Sequence, residues 1–239
     1  MTASAKTVMN NNELMAVENA GYMTEAIDLQ ELFSEELDGL RPTFDRIRVP
    51  AGGGLSFELP SDDPNNPDMM KEFSAVILYH YPSNSYYKEK FTGGNNPPDC
   101  SSRDGKIGVV AETGECRECK NCPMAKWGSG ENGGMACKQK RAMYLLREGE
   151  LLPVVMTLST GSLAEFTKYI TRLVTKGKRA NGVVTKFSLK RAQNSTGIAY
   201  SQVMCSVDRA LNPDEQANIS AMSEQVKNLV NRMPIFDED

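Results

Sequence analysis

The sequence predicts a mixed α+β fold with a core of strands, and three observations lead to this class. Short runs of alternating polar and apolar residues indicate strands on both sides of the middle of the chain. Two segments with apolar residues at helical spacing, one of them close to the end of the chain, indicate helices. Between these regions, residues 93–140 are dominated by Gly, Pro, Asn and Ser. A structureless loop of that length is improbable in a compact domain, so something other than a hydrophobic core must order it.

The first half of the chain predicts three strands before this insert. "FDRIRVP" and "LSFEL" alternate on either side of a turn at 52–54, which is a hairpin signal. "EFSAVILYHYPSNSYYKEKF" predicts one long strand with a kink at Pro82.

The second half predicts a strand at "LLPVVMTL", a helix at "TGSLAEFTKYITRLVTKGK", strands at "NGVVTKFSLKRA" and "IAYSQVMCSV", and a last helix capped near Asn212. In the first helix we expect Ser162 as the N-cap and Gly177 as the stop. The predicted order is strand, strand, strand, insert, strand, helix, strand, strand and helix. Three strands followed by a helix and two more strands is the order of an OB-fold. We therefore predict an OB-like β-barrel core with an inserted loop subdomain and flanking helices.

The chain divides into four predicted parts. Residues 1–42 form an acidic, partly helical arm, 43–211 the OB-like core with its insert at 93–140, 212–232 a C-terminal helix, and 233–239 an acidic tip. The arm helix could pack on its own domain, or it could dock on a neighbouring subunit of a homo-oligomer.

Composition and the N-terminal sequence argue against a membrane-spanning protein and a secreted protein. The chain has 239 residues, is 40% hydrophobic and 24% charged, and carries a net charge of −4. No apolar run approaches the roughly 20 residues that span a bilayer, and the N-terminus lacks the apolar region of a signal peptide. We therefore expect a cytoplasmic protein with no membrane partner, whose clustered cysteines bind metal and form no disulfides. The charges are polarised, because the first 45 residues are acidic and residues 138–191 are strongly basic.

Five of the six cysteines lie in the insert. Cys119 and Cys122 have the C-x2-C spacing of a zinc knuckle, and a glycine-rich stretch returns Cys137 toward them. Cys100 is the preferred fourth ligand, which gives C-x18-C-x2-C-x14-C and a Zn²⁺ site of four thiolates. Four protein ligands close the coordination sphere, so the site is predicted to be structural.

Three alternatives stay open for this segment. Cys116 could replace Cys100 as the fourth ligand, four thiolates could hold an iron–sulfur cluster, or the cysteines could be reduced in a mobile loop. Cys205 alternates with apolar neighbours and is predicted to be a core residue.

The chain carries no nucleophile elbow, Walker motif or zinc-deaminase pattern, and its one histidine, His80, lies in an aromatic strand. We therefore predict no enzymatic activity.

Aromatic and basic residues together predict a surface for single-stranded nucleic acid, because bases stack on aromatic rings and phosphates follow a basic groove. The candidates are Tyr79, Tyr81, Tyr86, Tyr87, Lys88, Trp127, Lys138, Lys140, Arg141, Lys168, Arg172, Lys176, Lys186 and Lys190. Aromatic residues of a strand can instead fill the core, and a charged helix face can simply be solvated.

The chain ends in an acidic tip with an apolar cluster, and we predict that it binds partner proteins through Ile235, Phe236, Asp237, Glu238 and Asp239. It resembles the acidic, aromatic-bearing tips of bacterial and phage single-stranded DNA-binding proteins.

The cysteine segment also carries a family resemblance. "CSS", "CKNCP", "WGS" and "ACK" follow one another in the order found in a set of cysteine-motif proteins from phages and mobile elements, and the similarity covers about residues 45–210. The cysteines shared with that set are Cys100, Cys119, Cys122 and Cys137, which leaves Cys116 outside. The architecture is similar to phage single-stranded DNA-binding proteins that insert a zinc subdomain into an OB-like core, although this chain lacks the histidine ligand that some of them use.

These observations together predict a zinc-containing single-stranded DNA-binding protein of phage or mobile-element DNA replication or recombination, acting in the host cytoplasm. Its tip would recruit replication or recombination proteins. Two alternatives are an inhibitor of a host defence nuclease acting through the acidic arm, and an accessory subunit of a DNA-processing complex.

Overall fold

A computed structural model of the chain describes residues 21–22, 28–37, 40, 43–89, 97–130, 133–194 and 196–232. The predicted acidic tip, 233–239, and most of the N-terminal arm lie outside the described residues.

The described residues form three α-helices and eleven strands. The helices are α1 (Leu29–Glu36), α2 (Thr160–Thr175) and α3 (Pro213–Arg232). The strands are β1 (Arg46–Ile47), β2 (Phe57–Leu59), β3 (Asp68–Met70), β4 (Glu72–Tyr86), β5 (Cys100–Ser102), β6 (Ile107–Val110), β7 (Cys116–Glu118), β8 (Lys138–Arg147), β9 (Val154–Leu158), β10 (Val183–Gln193) and β11 (Ala199–Ala210).

The long strand β4 organises the main sheet. One edge of β4 pairs with β8, which pairs with β9, and β1 lies parallel to β9. Its other edge is shared, because β10 pairs with the N-terminal half of β4 and β5 with its C-terminal end. From there β10 continues to β11, and β5 continues to β6 and β7. The cysteine-rich strands β5, β6 and β7 are thus a branch of the same sheet that carries the core.

The mixed α+β class is confirmed by this arrangement of one large sheet and a few helices. The strand pairings of the described residues do not close into a barrel, because β1 pairs only with β9 and β11 only with β10. The OB-like barrel is therefore still a prediction.

Apolar side chains cover both faces of the main sheet. One group of them, the α2-side cluster, includes Phe73, Met143 and Phe187 and packs against Phe166 and Leu173 of α2. The other includes Val76 and Tyr144 and packs against Ile219 and Val226 of α3. Because β4 and β8 are covered on both sides, the core is a sheet between two helical layers.

The described part of the arm packs on this second face. Tyr22 and Leu29 are both 2% exposed and belong to the cluster under α3. The backbone N–H of Leu29 donates to Gln225 Oε1 at 2.7 Å. The interpretation of the arm helix as packed on its own domain agrees with these contacts.

Two of the three predicted helix ends in α2 and α3 agree with the structure. The C-terminus of α2 is as predicted, because Gly177 has φ +67° and Lys178 N–H donates to Leu173 O in a Schellman motif. The predicted N-cap is wrong: α2 begins at Thr160, and Ser162 is buried, where its Oγ accepts from Val203 N–H at 3.0 Å. The cap of α3 is confirmed at Asn212, whose side chain accepts from Glu215 N–H while Glu215 accepts from Asn212 N–H.

No helix in the described part of the chain is long and apolar enough to cross a membrane.

Candidate metal centre and nucleic-acid interface

The cysteine module, residues 97–137, is anchored to the main sheet at both ends. At its start Cys100 pairs with Tyr86 at the end of β4. At its end Cys137 directly precedes β8, whose first residue, Lys138, pairs with Ser85 of β4. Both ends therefore leave the sheet at the same end of β4.

Strand alternation sorts the cysteines of the module onto two faces. Cys100 pairs with Val110, so these two residues lie on the same face of the sheet. Gly108 precedes Val110 by two residues and shares that face, and so does Arg117, which pairs with Gly108. Cys119 follows Arg117 by two residues and shares this face, because its N–H donates to Lys106 O at 2.7 Å and so extends the pairing.

Cys116 pairs with Val109 and therefore projects from the opposite face, where it is exposed. The spacing argument that left Cys116 out of the site thus agrees with the register of the strands.

A glycine gives the two sulfurs their space. A Cβ added at Gly108 would lie 2.9 Å from Cys100 Sγ and 3.6 Å from Cys119 Sγ. Gly108 is buried beneath both thiols, and any side chain there would occupy the volume into which the sulfurs project.

The other two cysteines are brought to this face by turns. Cys122 N–H donates to Cys119 O at 3.3 Å, which closes a tight turn of the knuckle type. Cys137 N–H donates to Met124 O at 2.8 Å, so the residue before β8 returns beside the residues after Cys122.

The loop between Cys122 and Cys137 is held by backbone hydrogen bonds and has little apolar packing. Ser129 Oγ donates to Met124 O and accepts from Ala136 N–H. Gly128 and Gly133 have φ of +87° and +75°, and a Cβ at Gly130 would meet Ala136 N at 2.8 Å. These backbone features are compatible with the predicted role of the glycines in returning Cys137, which stays a prediction.

The four thiols of this face are half-buried and interact electrostatically with one another. Burial, reinforced by the thiols of Cys119, Cys122 and Cys100, raises the pKa of Cys137 to about 11. Burial, followed by the thiols of Cys119 and Cys122, also raises the pKa of Cys100. Among the described side chains, no three His, Cys, Asp or Glu groups are already drawn together closely enough to form a metal-binding group. The four sulfurs thus share one face without reaching coordination geometry.

Beside the module, the end of β4 carries part of the predicted nucleic-acid surface. Lys140 Nζ lies 5.8 Å from the centre of the Tyr87 ring. Lys138 is exposed on the same face of β8, Tyr86 and Tyr87 are half-buried, and Lys88 is exposed. Trp127 projects from the module loop with 78% of its surface exposed.

A second basic group lies on α2. Lys168, Arg172 and Lys176 are exposed along one side of the helix. Lys168 pairs with Glu165 at 2.7 Å, and Arg172 and Lys190 both lie near enough to lower the pKa of that carboxyl further. The predicted basic residues are therefore divided between the end of β4 and the α2 side of the sheet.

Two predicted contacts do not belong to either group. Tyr81 is 5% exposed and its ring stacks on Tyr144, so it is a core residue and its ring has no free face for a base. Lys186 forms an ion pair with Glu72 at 3.0 Å, with Asp208 also nearby, so its charge is already balanced. Tyr79 is half-buried beside Tyr81, with 5.6 Å between ring centres.

Arg141 is half-buried and its Nη1 lies 2.6 Å from His80 Nδ1. Burial, and then the nearby guanidinium, lowers the pKa of His80 to about 4. His80 is therefore neutral near pH 7 and accepts the hydrogen bond from Arg141.

Sequence patterns did not indicate two residues of the site, Gly108 and Arg117. No local pattern marks Gly108 as a site residue, because its role depends on strand pairing across the module. Arg117 interacts electrostatically with the thiols of Cys100 and Cys122, and its position between Cys116 and Cys119 could have suggested this. Cys205 is packed against the α2-side cluster, as expected for a core residue, and its burial raises the pKa to about 12.

No protein-family model, curated protein or solved structure matches the chain. The assignment of a function therefore depends on the arrangement of the residues described above.

Proposed function

We propose that this chain is a non-enzymatic single-stranded DNA-binding protein whose cysteine module holds one structural zinc ion through Cys100, Cys119, Cys122 and Cys137. The observation that carries the proposal is that the cysteine module and the Tyr87–Lys140 pair adjoin the same end of β4. Cys100, opposite Tyr86, and Lys140, opposite Ser83, project from different faces of the sheet there, so a strand of DNA would pass around this end. The stacking groups, the cations and the candidate metal site all adjoin the same strand end.

The residues of the module fit zinc in three respects. Four thiols are the donor set that closes a tetrahedral site, and no acid, base or histidine among them would keep a water position open. Gly108 leaves space for the sulfurs, and Cys116 is excluded by strand alternation. A metal held by the four sulfurs would deprotonate the thiols and bind them as thiolates.

A bound ion would also supply the stability that the module lacks in apolar burial, because binding energy of a structural zinc is folding energy. It would fix the loop that carries Trp127 against the sheet. Arg117 would lie close to a site that four thiolates make negative, where its charge is favourable.

Single-stranded DNA suits the neighbouring surface because its bases are free to stack. Trp127 and Tyr87 would supply aromatic faces, while Lys140, Lys138 and Lys88 would neutralise phosphates. The half-buried Tyr79 and Tyr86 and the exposed Arg172 and Lys176 would extend the contact. Tyr81 is left out because it is buried, and Lys168 and Lys186 because each is paired with a glutamate.

The biological setting follows from the resemblance and belongs to the same proposal. The protein would act in replication or recombination of a phage or mobile element, in the cytoplasm of the host, with an OB-like core. Its acidic tip, outside the described residues, would recruit partner proteins.

A salt titration tests the proposal. Fluorescein-labelled (dT)20 is titrated with the zinc-loaded protein at several salt concentrations, and we expect binding that weakens steeply as salt rises. Trp127→Ala should weaken binding about tenfold, in line with about 1–3 kcal/mol for one stacked base. Lys140→Gln should weaken binding and reduce the salt slope by about 0.7, the value for one single-strand phosphate contact. Lys186→Gln is the matched control, since its charge is already paired with Glu72, and it should bind as the wild type does.

Two results would contradict the proposal. Absence of binding to (dT)20 at low salt would exclude a single-strand binder and would favour the inhibitor alternative. Equal affinity for duplex and single strand would favour an accessory subunit that grips duplex DNA.

A further inference from the structure

Arg141 is a half-buried cation without a carboxylate partner among the described residues. Its Nη1 donates a hydrogen bond to the neutral ring of His80, and its guanidinium carbon lies 6.0 Å from the centre of the Phe166 ring. Both contacts hold the guanidinium in place without neutralising its charge. A half-buried cation of this kind has lost part of its hydration, so it favours an anion from outside the chain.

A β-bulge places His80 where it can hold this guanidinium. The register of β4 against β8 shifts between Ile77 and Tyr79, which reverses the alternation of the strand. Beyond the bulge His80 pairs with Met143 of the α2-side cluster and packs edge-on against Phe166 at 5.2 Å. Without the bulge, the histidine would face the other side of the sheet.

The strand that carries Arg141 is fixed next to α2. Arg141 pairs with Leu158, the last residue of β9, and α2 begins two residues later at Thr160. Thr160 Oγ1 donates to Gln139 O at 2.6 Å, which ties the first turn of α2 to β8. The guanidinium itself lies at Phe166, six residues into the helix, so α2 fixes the position of the cation through this ring.

We infer that Arg141, oriented by His80 and Phe166, is a fixed binding subsite for one phosphate group. Arg141 is the binding residue and His80 is a positioning residue, because it acts through the guanidinium. The planar guanidinium would meet two phosphate oxygens, which a mobile lysine does not do. Taking that phosphate from the backbone of single-stranded DNA rests on the proposed function, whereas the subsite itself does not.

Two probes separate the subsite from the proposed function. The first is inorganic phosphate, followed by the ¹H and ¹⁵N shifts of the Arg141 side chain in the zinc-loaded protein. The second is (dT)20, followed by anisotropy at several salt concentrations. The variants are Arg141→Gln, Arg141→Lys, His80→Phe and His80→Asn, with Lys227→Gln on α3 as the control. Circular dichroism melts verify that each variant is folded.

We expect phosphate to shift the Arg141 signals in the wild type and in Lys227→Gln. Arg141→Gln should weaken (dT)20 binding about tenfold and reduce the salt slope by about 0.7, the value for one single-strand phosphate contact. Arg141→Lys should recover the slope but only part of the affinity. His80→Phe should weaken binding, and His80→Asn, which keeps an acceptor, should restore part of it.

Each outcome tests a different claim. Binding of (dT)20 with unchanged slope and affinity in Arg141→Gln would overturn the subsite and leave the proposed function standing. Phosphate shifts without (dT)20 binding would support the subsite and overturn the proposed function. Equal effects of His80→Phe and His80→Asn would overturn the positioning role of His80.

Discussion

The main sheet and the cysteine module are built on opposite principles, although they share strand β4. In the main sheet, β4 and β8 bury apolar side chains on both faces, with Met143 and Leu145 on the α2 side and Val76 and Leu146 on the α3 side all 0% exposed. In the module, the buried side chains are mainly small or polar, such as Ser101 and Ser102, and the one tryptophan is exposed. Burial of apolar surface therefore stabilises the sheet, whereas hydrogen bonds and a shared face of thiols define the module.

This difference means that the two regions should respond to different perturbations. A small polar segment cannot offset the conformational entropy of ordering about 40 residues with hydrogen bonds alone. A metal–thiolate site can do so, because its binding energy is large on this scale. The core should survive loss of the metal, and the module should not.

The largest expected effect is loss of a thiolate from the module. Cys119→Ser or Cys137→Ser should reduce bound zinc from about one ion per chain to near none and should unfold the module. Metal analysis of the purified variants and hydrogen exchange of residues 97–137 provide the measurement.

Cys116→Ser is the control for both variants, since this cysteine lies on the opposite face and is exposed. It should keep full metal content. Loss of zinc in Cys116→Ser alone would overturn the assignment of ligands, and a brown protein absorbing near 410 nm would indicate an iron–sulfur cluster.

The next effect concerns the core. Phe187→Ala removes a ring that is fully buried and stacked on Phe73 at 5.0 Å. We expect a loss of about 3–5 kcal/mol in the free energy of unfolding, measured by denaturant titration of the helical signal. The metal content should not change, and a Phe187→Ala protein that folds but lacks zinc would show that the two regions are not independent.

A pH dependence follows from the buried His80 in the core. Burial and the Arg141 guanidinium lower its pKa in the folded state to about 4 from the ordinary 6.5. Between these values the unfolded chain binds a proton that the folded chain does not, so stability is full above pH 6.5 and falls as the pH drops toward 4. The loss is on the order of 2–3 kcal/mol.

Because His80 is the one histidine of the chain, His80→Phe provides a direct test. Unfolding free energies of this variant should be less steep between pH 6.5 and 4.5 than those of the wild type. Identical slopes would contradict the buried, neutral imidazole. Glu215, whose pKa its hydrogen bond to Arg209 lowers to about 2, titrates below this window.

The smallest effect tests the space beneath the thiols. Gly108→Ala would place a Cβ 2.9 Å from Cys100 Sγ, so the thiol must shift. We expect about a tenfold loss of zinc affinity in a chelator competition, which corresponds to about 1.4 kcal/mol.

Gly114→Ala is the control for this variant, because it strains a turn at φ +68° and has nothing within 4 Å of its added Cβ. It should keep the zinc affinity of the wild type. Equal affinity in Gly108→Ala and the wild type would show that Cys100 does not use this space.

Local patterns predicted much of the sheet and the helices, but they missed its most buried strand. β8 contains Ala142, Met143, Leu145 and Leu146, which favour helices, and both of its faces are buried, so it shows no alternation. The predicted OB order was counted without β8 and without the short strand β3, so outside the insert it has two strands too few before α2. The three short strands of the insert, β5, β6 and β7, were not predicted either.

The cysteine part of the candidate site was predicted better than the nucleic-acid surface, for a similar reason. The grouping of the cysteines could be read from spacing, because knuckle turns and glycines act locally. The ion pair of Lys186 with Glu72 and the burial of Tyr81 depend on strands far apart in the chain, and no local pattern contains them.

The most direct test of the central claim is hydrogen exchange of the zinc-loaded protein before and after chelation. The claim predicts that removal of the ion increases the exchange of the amides in residues 97–137. The amides of β4 up to Tyr81 and those of β8 from Ala142 onward should stay protected. Equal protection of the module with and without the chelator, or a purified protein that carries no metal and keeps the module protected, would contradict it.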